Sequence, residues 1–408
     1  MSDAPNAFGT LIDEANELLP AAVRLRRKLH ERPEIGLELP FTQDAILDAI
    51  SGLPLQIHTG QQLSSIVAVL EGGLPGPTML LRGDMDALPL HEDTDLPFES
   101  GVDGAMHACG HDTHVAMLAG AARLLSDRRA ELPGRVLFMF QPGEEGYQGA
   151  RYMLEEGMLD AFGPDTASPV TGAFALHIST MAPSGTINLR GGTQMASADT
   201  VRITVTGRGG HASAPHAALD PIPIACEIVQ AIQTMITRRI DVFDPAVVTI
   251  AQIVAGTTNN IIPETAMIYG TIRAVSERTR SRVHDELKRV AEGISAAHDS
   301  SVAVEIELGY PVTINDMGYA GQVMQAATDL IGAGRVNGMP NPVMGAEDFS
   351  YVLQKVPGAM AFLGGCLPEQ NPRSAPPNHS NRVVFHEDAM ATGIAMYSAM
   401  ALRHLGVA

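Results

Sequence analysis

The chain has 408 residues, 45% apolar and 18% charged, long enough for two soluble domains, and no apolar run approaches the roughly 20 residues of a membrane span. Its 27 Lys plus Arg against 46 Asp plus Glu leave a formal charge of −19 with no basic cluster. That argues against nucleic acid and anionic membrane as partners, because phosphate binding needs a basic patch.

The first residues, Met1 to Phe8, lack the basic-then-apolar order of a secretory signal. Asn16–Arg32 reads as an opening helix. Val67–Leu70 and Thr78–Leu81 are short apolar runs bounded by Gly and Pro and read as strands. Apolar spacing of three and four predicts a helix over Thr113–Asp127, which Asp112 or Thr113 could cap. Val136–Phe140 reads as a strand, Gly149–Glu156 as a helix, and Gly172–His177 as a strand ending on a histidine. Strands alternating with helices predict an α/β fold with a mainly parallel central sheet, its site at the carboxyl ends of the strands.

The patterning changes near Ser197. Val201–Thr206, Asp220–Ile240, Val247–Val254, Ala266–Val275, Arg278–His298 and Val302–Leu308 give the order β-α-β-β-α-β, the ferredoxin-like pattern. Residues 197–309 are therefore read as a domain inserted into a first one formed by 1–196 and 310–408, which closes with a helix over Gly393–Leu405. Cys109, Cys226 and Cys366 are too few and scattered for a disulfide framework, so a cytoplasmic location is expected. Cys226, in the run Pro223–Val229, reads as buried.

Two segments carry the chemistry. In His107-Ala108-Cys109-Gly110-His111-Asp112-Thr113-His114, Cys109 and His111 stand two apart, so in an extended or turn segment both point the same way and can converge on one ion. Thiolate and imidazole suit zinc, cobalt, nickel or manganese better than magnesium. In Gly143-Glu144-Glu145-Gly146, adjacent carboxylates follow a buried-looking strand; one can hold a metal while its neighbour moves protons, although paired surface glutamates are otherwise just solvated charge. Asp84 and Asp86 end another strand and read either as turn residues before Pro89 or as supports that orient ligand imidazoles. His177 and His379 are lone histidines at positions that suit ligands.

Met106–His114, Gln141–Gly146, Ala175–His177, Gly209–Ala212, Asn260–Pro263 and Met344–Phe349 together resemble metallopeptidase family twenty, over nearly the whole chain and in order. More narrowly they resemble its aminoacylase branch, which includes hippurate hydrolases, indoleacetyl-amino-acid hydrolases and N-acetyldiaminopimelate deacetylases. The resemblance implies a zinc-exopeptidase-like catalytic domain with two divalent metals (Zn, Mn, Co or Ni) held by Cys109, His111, Glu145, His177 and His379, with Glu144 as general base. Asp84 departs from the wider family, which has histidine there, and Cys109 and His111 are this branch's different ligand set.

The resemblance further implies that the inserted domain is a lid and a dimerisation element, that His211 serves the site of a partner subunit in a homodimer or higher oligomer, and that Asn260, Arg273 and Gly345 contact substrate. Arg273 taken alone is a carboxylate clamp or a surface cation. The expected activity is metal-dependent hydrolysis of an N-acyl-L-amino acid. A dipeptidase or carboxypeptidase is the alternative, and a non-catalytic ligand-binding homologue a remote one.

Overall fold

The run Val136–Phe140 lies inside the strand Pro133–Gln141 of the computed structural model, which describes residues 8–160 and 169–407. The chain divides into two units: Met1–Gln194, Ile314–Asn341 and Tyr351–Ala408 form the first, and Met195–Thr313 and Pro342–Ser350 the second.

The first unit is built on an eight-stranded sheet in the order Leu55–Thr59, Ile66–Glu71, Pro133–Gln141, Leu74–Asp84, Val170–Pro183, Gly358–Cys366, Ile187–Leu189, Val336–Gly338. Leu74–Asp84 runs parallel to both Pro133–Gln141 and Val170–Pro183, and the latter runs parallel to Gly358–Cys366. The middle stretches of these strands, Thr78–Asp84, Val136–Gln141, Gly172–Leu176 and Gly358–Ala361, are buried on both faces, which is why they read as continuous apolar runs rather than alternating ones. In register, Asp84 faces Gln141 and His177 faces Phe362, so the segments carrying the predicted site residues leave the sheet at its carboxyl edge.

Helices Leu11–His30, His111–Asp127 and Ala389–His404 pack on one another. The last is rich in Ala and buried from Ala389 to Leu402, so neighbours approach closely; a Cβ on its one glycine, Gly393, would lie 1.9 Å from Met117 Sδ. The opening helix begins earlier than predicted and accommodates Pro20. The helix predicted from Thr113 begins at His111 behind Gly110 (φ 86°) with no side-chain cap. Asp112 instead binds Arg26 Nε at 2.8 Å and His30 Nδ1 at 2.7 Å. Those partners hold its carboxyl well below the usual range against the opposing effect of burial.

The second unit has strands Asp199–Thr206, Ala246–Ala255, Thr265–Ala274 and Ser301–Leu308 and helices Pro221–Arg239 and Glu277–Ala297. The sheet is antiparallel, with Ala246–Ala255 and Ser301–Leu308 at its edges and Thr265–Ala274 and Asp199–Thr206 between. Its core includes Val201, Ile203, Val205, Ile228, Ile268 and Leu287, each fully enclosed; burying such a side chain is worth about 1.5–3 kcal/mol. Pro342–Ser350, expected with the first domain, groups here because the Ala196 amide donates to the carbonyls of Val343 and Gly345. Cys226 is exposed rather than buried. Its helix buries Ile224, Ala225, Ile228, Ile232 and Met235, and the 3.6-residue period turns position 226 away from that stripe.

Candidate metal centre

The chain leaves the strand Pro133–Gln141 through Gly143, whose φ of 69° strains any side chain and whose Cβ would meet Leu37 Cδ2 at 2.5 Å, so Leu37 would also have to shift. Glu144 and Glu145 follow. Asp86 accepts the amide of Glu144 on Oδ1 and that of Glu145 on Oδ2, each at 2.9 Å. One carboxylate therefore fixes the backbone of both. The side chain of Glu145 brings Oε1 within 3.2 Å of His379 Nε2 and 4.0 Å of His111 Nε2.

The imidazoles are oriented by backbone carbonyls, which can only accept. His111 Nδ1 lies 2.9 Å from the Asp86 carbonyl, and His177 Nδ1 lies 2.7 Å from the Ile178 carbonyl. Each ring therefore carries a proton on Nδ1, and in the neutral form presents a lone pair at Nε2. His177 Nε2 and His379 Nε2 each lie 3.3 Å from Cys109 Sγ. His111 Nε2 and Glu145 Oε1 are buried, and their polar neighbours are other members of the site: Asp84 Oδ2 lies 3.3 Å from His111 Nε2 and His379 Nε2 lies 3.2 Å from Glu145 Oε1. The structure thus brings Cys109, His111, Glu145, His177 and His379 into one cluster, with Glu144 beside His111 and Glu145. Neighbouring donors on a tetrahedral ion with sulfur at about 2.3 Å and nitrogen at about 2.0 Å stand about 3.5 Å apart, close to these separations.

The electrostatics fit a cation. Burial lowers the His111 pKa, but the charges of Asp84 and Cys109 outweigh it and raise the pKa well above the histidine range. His379 is pushed up to about 10 by its contacts with Cys109 and Glu145. Burial pushes the Cys109 thiol up, so the chain alone does not favour the thiolate that binds metals. His177 is held well below the ordinary range by burial and by His114, so it stays neutral. A borderline-soft donor set of thiol, imidazole and carboxylate, buried at Cys109 and His111 and open to solvent at His379, suits a divalent metal ion.

The sequence alone assigns His114 no role. Its Nε2 accepts the Ile178 amide at 2.8 Å, so Nδ1 carries the proton and donates to Asp84 Oδ1 at 2.5 Å. The ring stands near His111 and Asp84, but its lone pair is already engaged. Its position three residues after His111 on the same helix was the available signal. Asp84 Oδ2 pairs with Arg82 at 2.8 Å, and Arg82 Nε donates to Gln141 at 2.8 Å.

In the second unit, His211 pairs with Ile261 in a two-stranded ribbon, and the Ala212 amide donates to the Asn260 carbonyl, so His211 and Asn260 are neighbours. Arg273 donates through one guanidinium nitrogen to the Met344 carbonyl at 2.8 Å, next to Gly345.

The model described as Peptidase family M20/M25/M40 matches residues 80–403. The chain belongs to this family. It is 37% identical over 403 residues to thermostable carboxypeptidase 2 of Saccharolobus solfataricus, covering 96% of this chain and 98% of that one. It is 38% identical over 343 residues to N-acetylcysteine deacetylase of Bacillus subtilis, covering 84% and 87%. Among solved structures it matches the Bacillus subtilis YxeP protein, described as a dinuclear metal-binding peptidase of family M20, with TM-score 0.82, 32% identity, and 96% and 100% coverage. This M20 chain is a metal-dependent amidohydrolase. No helix among the described residues is long and apolar enough to cross a membrane.

Proposed function

We propose that the chain hydrolyses N-acyl-L-amino acids to a carboxylate and a free amino acid, as an aminoacylase or hippurate hydrolase does. The observation that carries this reading is the Asp86 clamp beneath Glu144 and Glu145, which lets adjacent carboxylates take different tasks. Cys109, His111, Glu145, His177 and His379 would hold two divalent ions (zinc, manganese, cobalt or nickel). Bound there, such ions would supply Lewis acidity for the scissile carbonyl and for a water, a role that typically lowers a water's pKa toward about 7. Glu144 would take a proton from the attacking water and return it to the leaving amine.

In the second unit, the Ser213 amide donates to His211 Nδ1 at 3.1 Å, so the neutral ring carries its proton on Nε2. That N–H suits the oxygen on which negative charge develops. Arg273, Asn260 and Gly345 would receive the substrate's carboxylate, with the guanidinium braced by Met344. We take this unit to be a lid and the contact between two copies, with His211 serving the partner's site. In support, the edge strand Ala246–Ala255 has no charged residue and exposes Val247, Ile253 and Val254, a combination that favours pairing with another edge. A cytoplasmic setting agrees with three free cysteines.

Rates on acetyl-, benzoyl- and indoleacetyl-amino acids, compared with unblocked dipeptides and carboxyl-blocked acyl dipeptides, test the proposal. Preference for a blocked amine and a free carboxylate is expected. Preference for unblocked dipeptides overturns it. A second reading, carboxypeptidase action, has its support in the likeness to thermostable carboxypeptidase 2 and predicts release of the carboxyl-terminal residue from blocked peptides longer than two residues.

A further inference from the structure

His379 lies in the connection between the strand Gly358–Cys366 and the helix Ala389–His404, where no helix or strand fixes its position. Its own backbone is in the left-handed region, φ 68°, which a non-glycine residue keeps only when its surroundings over-determine it. The cause is next to it. Asn378 Nδ2 lies 3.1 Å from the Cys109 carbonyl and 3.0 Å from the Ile178 carbonyl. Both partners can only accept, so the atom facing them is the amide nitrogen, and both of its hydrogens are used. Asn378 Oδ1 is buried and makes no hydrogen bond, so the side chain's contribution lies in those two donor bonds. The His379 amide adds a bond to the Ala108 carbonyl at 2.9 Å, and Thr180 Oγ1 donates to the Pro376 carbonyl at 2.8 Å.

Each end of the Asn378 bridge bears on a different metal-binding residue. The Cys109 carbonyl belongs to the residue whose thiol sits at the middle of the cluster. The Ile178 carbonyl is the same oxygen that accepts His177 Nδ1 and so fixes which nitrogen of that ring faces the thiol. The third segment is Asn378 itself, peptide-bonded to His379. One amide group therefore joins three segments of chain, beside the single bonds from His379 to Ala108 and from Thr180 to Pro376, and each segment delivers one of the three donors Cys109, His177 and His379.

We infer that Asn378 is a positioning residue for the metal centre: its side-chain amide sets the mutual placement of Cys109, His177 and His379, and with it the affinity for a divalent ion. This rests on the metal-centre reading given above. Partners of this kind typically change metal affinity by about 10- to 100-fold when removed.

The test uses the full chain, stripped and reloaded with cobalt(II), whose thiolate charge-transfer absorption reports on Cys109. Competition against a chelator gives the affinity, and thermal unfolding of the metal-free protein gives the stability of the fold alone. Wild type should show the thiolate band. Asn378→Leu, which keeps the branched outline and removes both donors, should bind cobalt about 10- to 100-fold more weakly with an altered band, while its metal-free melting temperature stays that of wild type. Asn378→Asp keeps the shape but turns an oxygen toward two carbonyls, and should be at least as weak.

Wild-type affinity and band in both variants would overturn the inference. So would a fall in metal-free melting temperature with cobalt binding intact, or failure of both variants to fold, since either assigns Asn378 to the fold and not to the site. A wild type that takes up cobalt with no thiolate band would instead overturn the ligand role of Cys109, which separates that failure from failure of the Asn378 inference.

Discussion

Asp86 Oδ1 accepts the backbone amide of Glu144 at 2.9 Å. The other oxygen of the same carboxylate holds Glu145, and the Asp86 carbonyl holds His111. One residue thus aligns the proposed base, a carboxylate donor and an imidazole donor. Asparagine at 86 offers one acceptor and would turn an NH₂ toward a backbone N–H. Asp86→Asn should therefore lower kcat on the order of 10- to 100-fold while the circular dichroism spectrum is retained. Unchanged kcat would mean that the Gly143 turn holds the glutamates without Asp86.

Glu144 and Glu145 should separate cleanly. Glu144→Gln removes a base and no ligand, so metal content should stay at wild-type level while turnover falls on the order of a hundredfold or more. Glu145→Gln should lose metal to a chelator more readily. Metal content by elemental analysis alongside kcat distinguishes the two; the opposite pattern means the roles are exchanged.

Arg273 is braced by the Met344 carbonyl through one of its nitrogens, which leaves further donors of the guanidinium for a substrate carboxylate. Arg273→Ala should raise KM for N-acyl-amino acids far more than for their carboxamides, which should already be poor substrates of the wild type. Arg273→Lys should not restore KM, because an ammonium lacks the planar fork. Equal losses on both substrate types would give Arg273 a structural role.

Several of these relationships were legible in the sequence and others were not, for physical reasons. The strands around Leu80, Leu137 and Phe174 are enclosed on both faces, so their apolar runs announce them. Cys109, His111, Glu144 and Glu145 stand in short segments whose chemistry is local. The bond from Ile178 to His114, the bond from Arg82 to Gln141 and the bridge from Asn378 all join residues far apart in the chain, and no spacing rule reaches them. Cys226 sits among the apolar residues of Pro223–Val229 but beside Glu227, on the helix face turned away from Ile224, Ala225 and Ile228, and composition alone does not show which face is buried. Position along the chain places Pro342–Ser350 with the first domain, whereas the Ala196 amide bonds to Val343 and Gly345 tie it to the second unit.

Asp199 gives the second unit a measurable acid dependence. It is buried, which alone would raise its pKa, but hydrogen bonds from Arg280 and His284, the Arg280 charge and the Gly309 amide outweigh burial and hold it at about 2. Its carboxylate is therefore stabilising above the unfolded-state value of about 3.9, and that contribution is lost as pH falls from there toward 2. Denaturant unfolding of wild type and Asp199→Asn across that window should show the wild type losing stability more steeply, so that the two curves converge at the acid end. A constant difference between them would contradict this assignment.

The account turns on a divalent metal held by the cluster around Cys109, and its most direct measurement is activity against metal content in one preparation. Chelation followed by elemental analysis should give metal-free protein without amide hydrolysis, and added manganese, cobalt, nickel or zinc should restore it. Full activity in protein shown by that analysis to hold no metal would contradict the account.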